Sequence, residues 1–188
     1  ALCEDILENP NVHILSNREH PQGWSKLGEL YYLARSDPDR EVRAMAMLSE
    51  MMVLKDLLPS YKIRLPTEKE KERLVSKAVR AVRRYEAALL TAYQSFLKHL
   101  ENCVRQGVQR WAAEHEREHA VVAMRCLCAL LVAAPHFNYA PNVLTVVVGK
   151  AGSPLKDLRD VCCGALVLLY RRDEQGAVTL EAVKQVAK

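Results

Sequence analysis

An all-α fold follows from three features of the sequence. Glycine and proline are scarce, seven and eight in 188 residues, too few for the turns of a β-sandwich or the phosphate loops of an α/β enzyme. Apolar residues recur three or four positions apart over long stretches, the period of an amphipathic helix. Two proline-containing turns, Asp37-Pro38-Asp39-Arg40-Glu41-Val42-Arg43-Ala44 and Ser153-Pro154-Leu155-Lys156-Asp157-Leu158-Arg159-Asp160, each lead into an apolar helix. With 49% hydrophobic and 27% charged residues, the chain is expected to fold as a single helical domain over 1–188.

The elements follow in order. Residues 1–8 read as a helix stopped by Asn9-Pro10. A second runs from about Trp24 to Ala34, with Leu27, Leu30, Tyr31 and Ala34 on one face. A third covers about Arg40 to Leu58, carries the apolar residues Val42, Met45, Ala46, Leu48, Met52 and Val53, and ends at Pro59. Residues 59–66 form an extended basic arm between two prolines. Thr67 and Glu70 make a capping box that opens a long helix over 67–101. Its stripe of Val75, Val79, Val82, Glu86, Leu89, Tyr93, Phe96 and Leu100 repeats at alternating spacings of four and three, broken only by Glu86. About 34 helical residues span roughly 50 Å, so this helix is expected to brace several neighbours. Glu86 is expected to bond a partner such as an Arg or a buried backbone N–H, because an unpaired carboxylate in an apolar stripe is costly. A weaker connector around Gly107 holds Trp111. A helix from about Glu114 to Ala134 ends at Pro135. Ala140–Lys150 is strand-like in composition, but Pro141 at a first turn and helical neighbours favour a helix. Helices at about 153–172 and 178–187 complete the chain. The two related turns resemble those of HEAT-type repeats, in which Asp and Arg tie neighbouring repeats together. The expected architecture is therefore a HEAT-like or ARM-like helical-repeat solenoid with one long bracing helix. The chain lacks an initiator Met and starts and stops inside helical patterns, as a fragment of a longer protein would.

Charge is uneven. The net charge is +4, yet residues 55–86 hold ten basic and five acidic residues, a local +5. The six cysteines form no C-x-x-C pair and sit mostly in apolar runs, so they read as reduced, buried thiols of a cytosolic or nuclear protein. No apolar run is long enough to span a membrane, and the chain reads as soluble.

Catalytic motifs are absent or incomplete. No P-loop, nucleophile elbow or dinucleotide fingerprint occurs. His115-Glu116-Arg117-Glu118-His119 fits H-E-x-x-H, which on a helix can bind zinc. A zinc protease needs a third ligand, and the extended motif fails because Val122 and Arg125 occupy its later positions. The middle positions, normally uncharged, are Arg117 and Glu118. A polar helix N-terminus explains the pattern better. The sequence is therefore read as non-enzymatic, with no cofactor and no metal.

One stretch goes further than periodicity. Val53-Leu54-Lys55-Asp56-Leu57-Leu58-Pro59-Ser60-Tyr61-Lys62-Ile63-Arg64 resembles the V-x-K-D-I-I-P-G-Y-R-I-R signature of the nucleolar complex-associated protein 3 family. Val75-Ser76-Lys77, Tyr85-Glu86, Leu89-Leu90, Tyr93, Phe96-Leu97 and Pro135-His136-Phe137-Asn138 resemble further family motifs in the same order. Ser60 replaces the usual Gly and Lys62 a usual Arg, which keeps the charge and loses the bidentate fork. The close match covers about Val53–Leu100, the N-terminal part of the family's shared region.

The resemblance implies a HEAT-like scaffold of the nucleolus and nucleoplasm. It would act in maturation and export of the large (60S) ribosomal subunit. Its partners would be a second nucleolar complex protein, forming a heterodimer, the pre-60S particle and pre-rRNA, with chromatin and replication licensing as an alternative role and no membrane partner. The residues then suggest where contact occurs. The arm carries Tyr61, Lys62 and Arg64, able to reach phosphates and stack on a base. Lys55, Lys69, Lys71, Arg73, Lys77, Arg80, Arg83 and Arg84 extend the charge around it. In the competing reading Tyr61 is core, Arg64 pairs with a helix acid, the charges form a solvated face, and the domain only binds proteins, with Trp24 or Trp111 as anchors.

Overall fold

The computed structural model describes residues 1–14, 25–71 and 73–186, without the side chain of Lys71. Every regular element among them is an α-helix: α1 (Leu2–Glu8), α2 (Pro10–His13), α3 (Lys26–Ser36), α4 (Arg40–Leu57), α5 (Glu68–Lys71), α6 (Lys77–Gly107), α7 (Glu114–Ala133), α8 (Ala140–Lys150), α9 (Lys156–Arg172) and α10 (Ala177–Val186). The all-α class is the expected one. Where one domain was expected over 1–188, the chain divides into two compact units, Ala1–Ser95 and Phe96–Lys188.

In the first unit α3 packs along α4, and α1 lies against both. Ser25 caps α3 by accepting from the Gly28 N–H at 3.0 Å, and Asp39 caps α4 by accepting from the Glu41 N–H at 2.8 Å. The core holds Ile6, Leu27, Leu30, Ala34, Met47, Val53 and Leu54. Of the six apolar residues picked out on α4, Ala46 and Val53 are buried. Val42, Met45, Leu48 and Met52 are exposed, whereas Ala46, Met47, Glu50, Met51, Val53 and Leu54 are buried. Glu50 sits inside that face because Arg35 of α3 reaches it, Nη1 to Oε2 at 3.0 Å. A buried charge is tolerated when paired.

In the second unit α7 packs against α8 and α9, and α10 against α8 and α9. Ala123, Met124, Leu127, Leu130, Phe137, Val147, Leu158 and Cys162 form its core. Residues 140–150 are helical as expected. Pro141 occupies a first-turn position, where its missing N–H costs nothing. None of the six cysteines is in a disulfide; Cys103, Cys126, Cys128 and Cys162 are buried, Cys3 is half-buried and Cys163 is exposed.

The expected long helix over 67–101 is displaced. Only half of the Thr67–Glu70 capping box forms: the Thr67 N–H donates to Glu70 Oε2 at 2.9 Å, whereas the Thr67 hydroxyl donates to that same carboxylate and the Glu70 N–H bonds the Thr67 carbonyl at 2.9 Å; the helix it opens is the four-residue α5. Its sequence, Glu-Lys-Glu-Lys, has no apolar side chain to anchor further turns. A second cap starts α6: Ser76 Oγ accepts from the Val79 N–H at 3.3 Å. The helix then runs on to Gly107, through what was read as a connector. Only part of the stripe is buried. Val79 and Val82 are exposed, while burial begins at Leu89 and continues through Tyr93, Phe96, Leu100 and Val104.

The two related turns share one local geometry. Asp37 Oδ1 accepts from the Asp39 N–H at 2.9 Å, and Arg43 Nη1 donates to the Asp37 carbonyl. Ser153 Oγ accepts from the Leu155 N–H at 3.3 Å, and Arg159 Nη1 donates to the Ser153 carbonyl at 2.8 Å. Each arginine therefore braces its own turn. Each turn joins an 11-residue helix to one of 18 or 17 residues.

Candidate nucleic-acid interface

Helix α4 ends at Leu57, and Pro59 starts the extended segment because proline cannot continue the ladder. Ile63 is buried and pins the middle of the arm, while Tyr61, Lys62 and Arg64 around it are exposed. Tyr61 was a core residue in the competing reading; it is instead held at the surface, its hydroxyl donating to Glu86 Oε1 at 2.7 Å. That bond to a carboxylate raises the Tyr61 pKa above the usual phenol value. Glu86, half-buried, thus has a partner, though it is a phenol hydroxyl and not the Arg or backbone N–H expected.

Arg64 is engaged as well. Its Nη2 donates to Glu70 Oε1 at 2.9 Å and Oε2 at 3.2 Å. Glu70 already accepts from the Thr67 N–H and hydroxyl, and those bonds hold its carboxyl below the usual range. Arg83 Nη1 donates to the Glu70 carbonyl at 3.2 Å. Of the expected contact residues, Arg64 and Arg83 therefore fasten the arm and α5 to α6, with Tyr61 doing the same one turn on.

The remaining cations behave differently. Lys55, Lys62, Lys69, Arg73, Lys77, Arg80 and Arg84 are all exposed, and among the described residues none takes an ion pair. Lys77, Arg80 and Arg84 recur at helical spacing and share one face of α6. The side chain of Lys71 lies outside the described residues, as does Trp24. Trp111, one of the two anchors in the competing reading, is 82% exposed.

Sequence reasoning missed one cluster. His99 and Cys103 lie one turn apart on α6 and meet His119 of α7, with one ligand atom from each all within 4.8 Å of one another. The H-E-x-x-H pattern drew attention to His119 for its spacing from His115, but the tertiary fold gives it different neighbours. Glu116 acts as a cap, its carboxylate accepting from the Ala113 N–H at 2.8 Å. Among the described residues no helix is long and apolar enough to cross a membrane.

The family model for NOC3p, nucleolar complex-associated protein, matches residues 1–96. The chain belongs to this family. It is 37% identical over 182 residues to the nucleolar complex-associated protein 3 of Arabidopsis thaliana, covering 87% of this chain and 21% of that protein. It is 34% identical over 197 residues to the mouse nucleolar complex protein 3 homolog and 33% identical over 197 residues to the human one, each covering all of this chain and 23% of the relative. The chain thus spans less than a quarter of the length of these curated relatives. The region of resemblance read from Val53–Leu100 lies mostly inside the family match, which begins earlier, at residue 1.

Proposed function

We propose that this chain is part of a nucleolar, non-enzymatic scaffold that helps assemble the large ribosomal subunit and contacts pre-rRNA through the surface around the 59–66 arm. The observation that carries the reading is the set of exposed cations Lys55, Lys62, Lys69, Arg73, Lys77, Arg80 and Arg84, none in an ion pair among the described residues, grouped about a tethered arm, in a family whose members are named for a nucleolar complex. Lys62 is the arm's free charge. Lys77, Arg80 and Arg84 supply a row of positive charge along α6, suited to a phosphate backbone. Tyr61, exposed and held by Glu86, presents a ring for stacking. Arg64 and Arg83 position this surface rather than bind. Nucleolar and nucleoplasmic residence, passage with pre-60S particles to export, and pairing with a second nucleolar complex protein belong to the same reading.

A helical-repeat architecture fits this role. The two hairpins, α3–α4 and α8–α9, with matched lengths and identically braced turns, support a HEAT-like or ARM-like arrangement. The exposed α4 face of Val42, Met45, Leu48 and Met52 favours an additional protein partner, since exposed apolar faces mark interaction surfaces.

The test is RNA binding across a salt series. Replacing Lys62, Arg80 and Arg84 together with Ala is expected to weaken binding to large-subunit rRNA precursor and to flatten the log affinity against log salt plot by roughly 2. Unchanged affinity and slope would remove this surface from the site. Recovery of origin-licensing proteins and chromatin without pre-rRNA would favour the replication role instead.

A further inference from the structure

We infer that His99, Cys103 and His119 form a binding site for a zinc-like divalent cation that ties α6 to α7. The chemistry of the donor set is the first ground. One thiol and two imidazoles are the ligands a borderline-soft ion such as Zn²⁺ takes, and hard cations such as Mg²⁺ and Ca²⁺ do not. The spacing is the second. With Zn–S near 2.3 Å and Zn–N near 2.05 Å, tetrahedral angles place S and N about 3.6 Å apart. Cys103 Sγ lies 3.6 Å from His99 Nε2, and the three ligand atoms span no more than 4.8 Å.

The backbone explains why they meet. A Cβ at Gly107 would fall 2.4 Å from the Ala120 Cβ and 2.5 Å from the Glu116 carbonyl oxygen, so α6 and α7 touch there. Cys103, one turn before Gly107, and His119, next to Ala120, follow from that crossing. His99 and His119 are half-buried and Cys103 is buried, which gives a hydrated ion an approach from the imidazole side and shelters the sulfur. Binding would displace the Cys103 thiol proton to solvent, leave both imidazoles neutral and keep a water in the fourth position. The role is a cross-link between helices: Glu116, the base an H-E-x-x-H hydrolase would use, is committed to the Ala113 N–H.

Cobalt is the probe. The full chain, stripped by chelator and kept reduced by a phosphine, is titrated with Co²⁺. Expected are a thiolate-to-cobalt charge-transfer band in the near ultraviolet and intense tetrahedral d–d bands, saturating at equimolar cobalt and displaced by Zn²⁺. Cys103→Ser should abolish the charge-transfer band. His99→Asn and His119→Asn should weaken binding about 100-fold or more, since even outer-shell changes cost 10- to 100-fold, whereas His115→Asn should bind as the parent does. No band in the parent, a band that survives Cys103→Ser, or equal losses from His115→Asn and His119→Asn would each overturn the site. Far-ultraviolet circular dichroism checks each variant's fold. Should Cys103→Ser not fold, the half-buried His119→Asn decides: unchanged tetrahedral absorption in it overturns the proposal.

Discussion

Glu50 shows how far one residue can depart from its type. It is 1% exposed, and burial pushes its pKa up to about 7 against the opposing pull of the Arg35 guanidinium. Arg35 in turn stacks on the Tyr31 ring, 3.2 Å from its centroid, and donates to the Tyr31 carbonyl at 2.8 Å. A carboxyl whose pKa is higher folded than unfolded binds more protons in the native state. Its contribution is complete below its ordinary value of 4.5 and is lost as pH rises through about 7. Thermal or urea unfolding is expected to show stability falling over that window, by about 3 kcal/mol if the shift is fully realised. Glu50→Gln, neutral at every pH, should flatten this limb; an unchanged pH profile in the variant would refute the assignment. Nothing in the sequence marks Glu50 as buried. Hydrophobic periodicity rewards apolar residues, so it picks Met45, Leu48 and Met52, which are exposed, together with Ala46 and Val53, which are buried. The partner of Glu50, Arg35, lies 15 positions away. Tyr61 is the converse case. The arm was legible from its two prolines, and the need of Glu86 for a partner was legible from its place in the stripe. That the partner is the Tyr61 hydroxyl required two segments 25 residues apart to meet. Tyr61→Phe should speed amide exchange across 60–65 while leaving α4 unchanged.

At the scale of the element, α6 divides into what local chemistry fixes and what packing fixes. Its start belongs to Ser76. Ser76→Ala removes the acceptor for the Val79 N–H and is expected to cost about 1 kcal/mol, read as faster exchange in the first turns. Thr67 reads as the better cap because Glu70 stands at the capping-box spacing, but a cap can only start a helix that later turns stabilise. The packing of α6 against α7 belongs to Gly107. Gly107→Ala drives a methyl group into Ala120 and the Glu116 carbonyl; a loss of about 1–3 kcal/mol is expected from overpacking, visible as a lower melting temperature. A melting temperature equal to that of the parent would mean that the crossing relaxes freely. Residues 140–150 show the opposite balance. Their β-branched run argues for a strand, yet Pro141 at the first turn and the burial of Val143, Leu144 and Val147 along one side suit a helix, and tertiary contacts override intrinsic preference.

For the whole molecule, the local +5 over residues 55–86 governs the behaviour expected with polyanions. Binding to RNA should weaken steeply with salt, and single replacements at Lys62, Arg80 or Arg84 should each lower the slope by roughly 0.7–0.9, whereas Arg64→Ala should act mainly by loosening the arm from Glu70. A slope that Arg64→Ala lowers as much as Lys62→Ala would place Arg64 on the phosphates. The sequence by itself determined the helical class, most helix boundaries, the extended arm, the charge segment and the family, because each is carried by residues close together in the chain: spacing, caps, prolines and ordered motifs. Only the tertiary structure decided which face of α4 is buried, which cations are consumed by Glu70 and which remain exposed, and that His99, Cys103 and His119 meet. Those outcomes depend on contacts between distant segments, such as the close crossing at Gly107 and the Arg35–Glu50 pair, which no local pattern in the chain encodes.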